Sequence, residues 1–126
     1  MDSQGFLDKV RGYEADGWRL ILVNATPLRA AADVAEGTCD LSWSFERHDA
    51  LEHICERVAP GQSVPSIQSI YGFAFLYENE IRELFGVEVT DMLVDFKGEL
   101  YKTDTRVPFS PKAIRERLEA AKGKQP

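Results

Sequence analysis

Cysteine and histidine are scarce in this chain: two of each in 126 residues. Cys39 and Cys55 have no CxxC spacing and no neighbouring His pair, so neither a disulfide framework nor a zinc or iron–sulfur site is indicated. Both are expected to be small buried hydrophobes, the usual fate of a free cysteine. Positive charge is also short, with 15 Lys and Arg against 21 Asp and Glu, a net charge of −6. A phosphate-binding footprint is therefore missing and nucleic acid is not an expected partner. No apolar run approaches the roughly 20 residues that cross a bilayer. Met1-Asp2-Ser3-Gln4-Gly5 does not read as a signal peptide, so the expected location is the cytoplasm. Gly-rich phosphate loops, nucleophile elbows and His-rich metal spacings are absent too. What remains, 44% hydrophobic residues with two Trp, four Tyr and seven Phe, is enough for one packed domain and argues against disorder.

Gln4 to Ala15 carries Phe6, Leu7, Val10 and Tyr13 at helical spacing and closes near Gly17. Trp18 to Val23 reads as a strand, central in its sheet, stopped by Asn24-Ala25-Thr26-Pro27. Leu28 to Thr38 is an irregular connection. From Cys39 the alternation is clean: Cys39, Leu41, Trp43 and Phe45 on one face, Asp40, Ser42, Ser44 and Glu46 on the other, the mark of a half-buried antiparallel strand. Arg47 to Ala59 is ambiguous. Leu51, Ile54, Cys55 and Val58 have helical spacing, whereas Leu51, His53 and Cys55 would alternate on a strand; pattern alone leans to helix.

After the loop Pro60 to Pro65, Ser66 or Ser69 can cap a helix that runs to about Phe85 and stops at Gly86. Short extended pieces are expected at Val87-Glu88-Val89, Val94-Asp95-Phe96 and Glu99-Leu100-Tyr101, with Lys97-Gly98 as a tight turn. Residues 1–111 form the domain. Residues 112–126 form a charged tail: Lys112 to Lys124 holds five basic and two acidic residues, and Ile114, Leu118 and Ala121 give it one apolar stripe.

His48 and His53, flanked by Asp49 and Glu52, read as surface or strand-edge residues. The helix ending at Phe85 is more informative. On a wheel, Phe73, Ala74, Tyr77, Ile81 and Leu84 share a face, Asn79 and Arg82 point away, and Glu80 falls within the apolar arc. A carboxylate there is desolvated at a cost of several kcal/mol unless paired. Its candidate partners are Lys97, Lys102 or Arg106, if the following strands fold back, or an arginine of another subunit; Arg82 is poorly directed. The helix is thus either an ordinary core helix with Glu80 at its rim or an interaction helix.

Pro65-Ser66-Ile67, then Ala74-Phe75-Leu76-Tyr77-Glu78-Asn79-Glu80 and Glu83-Leu84-Phe85-Gly86-Val87, resemble the signature of the respiratory complex I 30-kilodalton subunit family of NADH dehydrogenase. That family carries Glu-Arg-Glu-x-x-Asp-x-Phe/Leu-Gly-Ile/Val on this helix. Glu78 and Glu80 match its two glutamates and Leu84 to Val87 match its end. Asn79 replaces the arginine, and Glu83 stands where Asp is usual. The likeness extends over roughly residues 15 to 110.

Downstream the chain departs from complex I members, which continue with a Gly-His-Pro segment and a basic stretch. Asp91-Met92-Leu93-Val94-Asp95-Phe96-Lys97-Gly98-Glu99-Leu100-Tyr101-Lys102 is instead similar to the short 30-kilodalton-type subunit of energy-converting, membrane-bound NiFe hydrogenases and its relative in the carbon-monoxide-induced hydrogenase. The short N-terminus points the same way.

The resemblance implies an α+β domain, a small mixed or antiparallel sheet packed by helices, which tips Leu51 to Val58 toward strand. It also implies a non-catalytic subunit with no cofactor of its own. Such a subunit docks the large NiFe-hydrogenase-like (49-kilodalton-type) subunit and the small iron–sulfur subunits, whose NiFe centre and clusters carry the electrons, and is peripheral to the inner face of the membrane only through the complex. Tyr77, Glu78, Glu80, Glu83, Phe85 and Gly86 would form the subunit interface. In it, Glu78 and Glu80 would accept charge-assisted hydrogen bonds from arginines of the large subunit, around aromatic anchors. Two alternatives stand beside this: a true 30-kilodalton subunit of NADH:quinone oxidoreductase, and, from another class, a small carboxylate-based or metal-dependent enzyme using Glu78, Glu80 and Glu83 with a His.

Overall fold

The computed structural model describes residues 2–97. Its elements, in chain order, are α1 (Ser3–Ala15), β1 (Arg19–Pro27), β2 (Cys39–Arg47), β3 (Ala50–Val58), β4 (Ser63–Pro65), α2 (Ala74–Phe85) and β5 (Glu88–Thr90). The strands make an antiparallel sheet in the order β1-β2-β3 and a small parallel pair, β4-β5. The class is α+β.

The alternation read in β2 is what organises the interior. Cys39, Leu41, Trp43 and Phe45 are all buried to within 1% of complete, because a period of two sends every second side chain to the same face. α1 lies on that face: Phe6 meets Trp43 with ring centroids 4.6 Å apart, and Tyr13 stacks on Phe45 at 4.3 Å. Ala74 and Ile81 of α2 join the same core. Each aromatic buries about 150–250 Å², which at about 25 cal/mol per Å² makes this cluster the main source of stability.

The order of strands corrects one expectation. β1 lies at an edge of the sheet and β2 is central, since the hairpins on either side of β2 leave it two neighbours. β1 also runs through Asn24 to Pro27, where proline is tolerated as the last residue of an edge strand opposite Cys39. The ambiguous segment is a strand. His48 and Asp49 both have positive φ (49° and 64°), the signature of a two-residue type I′ hairpin turn, which sets Arg47 opposite Ala50 and carries the register to Cys39 opposite Val58. The helical spacing was a coincidence: Ile54 and Val58 are buried while Leu51 is 60% exposed. Cys55 is exposed as well, contrary to the expectation of burial, because it falls on the uncovered face.

The second helix is shorter than expected. Residues 67–73 form turns closed by Tyr71 N–H donating to the Ile67 carbonyl, and α2 begins only at Ala74, without a side-chain cap. Neither Ser66 nor Ser69 caps it, because the N-cap position falls at Phe73. Gly86, with φ 77°, ends α2 in the left-handed region as expected. Val94 to Phe96, expected as an extended piece, forms no strand: the chain bends at Leu93 and Val94. Glu99-Leu100-Tyr101, Gly98 of the expected turn, Lys102, Arg106 and the 112–126 tail lie outside the described residues.

Candidate functional site

α2 is flanked by the turn at Ser66 to Gln68 on one side and by a strap, residues 92–97, on another; both are tied to it by buried polar side chains. Glu78 is 2% exposed. Its carboxylate accepts from Ser66 Oγ at 2.6 Å and from Ile67 N–H at 2.8 Å, and Ser66 Oγ in turn accepts from Gln68 N–H at 3.1 Å. Burial pushes the Glu78 carboxyl above the usual glutamate range, against the hydrogen bonds from Ser66, Ile67 and Gln68, which pull it down.

Asn79 is fully buried. Its amide donates to the Val94 carbonyl at 2.9 Å and to the Phe75 carbonyl at 2.7 Å, and its oxygen accepts from Phe96 N–H at 2.9 Å. Gln68 grips the same strap in bidentate fashion, accepting from Val94 N–H at 2.7 Å and donating to its carbonyl at 3.2 Å. Arg82 forms an ion pair with Asp95, whose carboxyl is held below the usual range first by that guanidinium and then by the Lys97 N–H.

These contacts redraw the wheel. The desolvated polar groups of α2 are Glu78, Asn79 and Glu83; Glu80 is half-buried. Asn79 was expected to point away, and it is buried because the strap covers that side of the helix. Phe73, expected on the inner face, is 84% exposed. Tyr77 is half-buried and its hydroxyl donates to the Ile21 carbonyl at 2.9 Å, pinning α2 to β1. Phe85 packs against the edge of the core, and exposed Gly86 turns the chain toward β5. The six residues singled out from the sequence thus share one helix and its stop but face different surroundings. Gln68 and Ser66 were missed as polar anchors. The signal for them was local: two hydrogen-bonding side chains in the turn just before a helix that carries Glu78 and Asn79.

The strap is fixed yet greasy outside. Leu93 is 72% exposed, Val94 44% and Phe96 36%, and Leu76 on α2 is 48% exposed. With Phe73 these make five of the eight exposed large hydrophobics among the described residues, all of them at the start of α2 or on the strap. The Phe75 and Phe96 rings, 6.2 Å apart, join the start of α2 to the strap.

The histidines are remote from this end of the fold. His48 is in the hairpin turn, and His53 Nδ1 pairs with Ser44 Oγ at 2.8 Å across the sheet. Among the described residues no three His, Cys, Asp or Glu side chains are grouped to hold a metal ion, and no helix is long and apolar enough to cross a membrane. No family model matches the chain, and no curated protein matches it.

Proposed function

We propose that the chain is a non-catalytic docking subunit of the complex I 30-kilodalton type, set in the peripheral arm of a membrane-bound oxidoreductase of the energy-converting NiFe hydrogenase class. The start of α2 and the strap are its contact with the large subunit. The observation that carries this reading is the apolar surface of Phe73, Leu76, Leu93, Val94 and Phe96, held in one geometry by the buried amides of Gln68 and Asn79. Ordering exposed hydrophobics on a hydrogen-bonded frame costs conformational entropy before binding, and so lowers the cost at the moment of docking. The sequence likeness over Pro65 to Val87 supplies the kind of partner. Glu78 has both oxygens engaged within the chain, so its part in docking is to hold the turn that carries Gln68. Glu80, half-buried on α2, is assigned the part of an acceptor for a partner arginine from the sequence likeness alone. The NiFe centre and the iron–sulfur clusters belong to the neighbouring subunits, and the membrane is reached only through the complex.

The test is co-expression with a NiFe-type large subunit and recovery on a tagged copy of this chain. Wild type brings down the large subunit with its nickel. The double variant Phe73→Ser, Leu93→Ser loses about 2 kcal/mol or more of association free energy, as truncated interface anchors do, while its unfolding midpoint stays within experimental scatter. Glu80→Gln weakens recovery to a lesser extent. Undiminished recovery with the double variant would overturn the reading.

A further inference from the structure

The two edges of the three-stranded sheet are treated differently. β1 is blunted: it has a bulge between Leu20 and Leu22 and ends in Pro27, and the Ile21 carbonyl, with that of Trp18 just before the strand, is taken by the Tyr77 and Tyr71 hydroxyls. These are the usual ways of disarming an edge. β3 has neither bulge nor proline along its nine residues. Because Arg47 and Ala50 close the hairpin, the main-chain groups of Ala50, Glu52, Ile54, Glu56 and Val58 face β2, and those of Leu51, His53, Cys55 and Arg57 face outward. Among the described residues none of these outward groups has a hydrogen-bond partner.

Beside this edge, between β3 and α1, lies a cleft of about 600 Å³ lined by Lys9, Tyr13, Asp16, Arg47, Glu52 and Glu56 among others. On the cleft side β3 presents Glu52, Ile54 and Glu56 in alternate positions. Tyr13 donates to Glu52 at 2.6 Å and fixes it there.

We infer that β3 is a strand-addition site for an extended polypeptide segment of another protein, carrying a basic residue, an apolar residue and a basic residue at alternate positions. Strand addition supplies the four outward main-chain positions with partners. In that register the side chains opposite Glu52, Ile54 and Glu56 occupy the close, non-hydrogen-bonded pairs, where opposite charges attract and like charges repel. A second copy of the chain fits poorly in the one antiparallel register that pairs all four outward positions. Two antiparallel β3 strands centred on Ile54 would set Glu52 against Glu56 twice. No segment of this chain has the required pattern either: Lys102 and Arg106 have the spacing but enclose Asp104. The site is separate from the α2 surface and does not depend on its partner.

The experiment uses the full, isotopically labelled chain and the peptide Thr-Lys-Thr-Val-Thr-Lys-Thr at millimolar concentration, read by amide hydrogen exchange. In free protein the amides of Leu51, His53, Cys55 and Arg57 exchange fast and those of Glu52, Ile54 and Glu56 slowly. With peptide, the first set slows by about tenfold or more, and the alternation disappears. The same peptide with Glu in place of both Lys binds at least several-fold more weakly. His53→Pro removes one outward donor without touching the β2 ladder and abolishes the protection; Glu56→Lys, which keeps the strand intact and leaves one acid and one base at the site, removes the preference between the peptides. Outward amides already protected in the free chain, equal binding of both peptides to the wild-type chain, or no protection at all would each overturn the proposal.

Discussion

Beneath the sheet, Trp43, Phe45, Phe6 and Val10 fill the interior with rings and branched chains; on the far side of α2, an equal depth of burial is occupied by Glu78, Asn79, Gln68 and Ser66. The first interior is non-directional and gains free energy with every apolar area removed from water. The second gains little net, since its hydrogen bonds replace others made to water. What the polar interior supplies is geometry. Each of its side chains has a fixed set of partners, and a strap whose outward side chains are apolar would otherwise have little reason to keep one conformation.

Substituting Trp43 by Ala should have the largest effect, a global loss of about 3–5 kcal/mol, as for large aromatic truncations in cores. Urea unfolding monitored by circular dichroism would show it as a lower midpoint with an unchanged slope. Asn79→Ala should cost less, about 1–3 kcal/mol, the cost of leaving the Phe96 N–H without its partner and the Val94 carbonyl with Gln68 alone. It differs in kind as well as size. Amide exchange should accelerate at Phe96 while Trp43 and Ile54 keep their protection. If exchange rises uniformly, the two interiors form one cooperative unit and the contrast between them fails.

The first interior was legible in the sequence and the second was not. Cys39 to Glu46 alternates without an exception, so face, period and burial all follow from one rule. β3 was harder because its apolar residues fit a helical period as well as a strand; its identity is settled by the turn at His48-Asp49, which lacks the Asn-Gly or Asp-Gly pair that announces a hairpin. α2 defeated the wheel for a different reason. A wheel assumes one buried side, whereas this helix is covered by the sheet on one side and by the strap and the Ser66 turn on others. Asn79 and Glu78 are buried against main chain, whose polar groups leave no mark in a pattern of apolar residues. The likeness over Pro65 to Val87 directs attention to α2, but which carboxylate lies inside depends on contacts from residues 66–68 and 92–97.

Glu78→Gln separates the two interiors by pH, with the smallest effect at any single condition. The folded carboxyl of Glu78 is raised by burial, so the folded state holds its proton more tightly than the unfolded chain does. The stability this group contributes is complete below the ordinary glutamate value, and is lost as pH rises through its own higher value. Asp40, held down first by its hydrogen bond to Arg57, and Asp95, held down by Arg82, act in the opposite sense. Their contributions are present above the ordinary aspartate value and disappear as pH falls through their depressed ones, and surface exposure keeps both small. Glutamine can accept from Ile67 N–H and donate to Ser66 Oγ, so it retains the shape of the turn without the charge. Measured by urea unfolding from acid to neutral pH at constant salt, the variant should gain on wild type steadily as pH rises past the glutamate range. The aspartate-dependent loss at low pH should be the same in both. A difference that stays flat across the series would mean that the ionised carboxylate costs nothing where it sits. The polar interior would then be as well matched to a charge as the aromatic one is to rings.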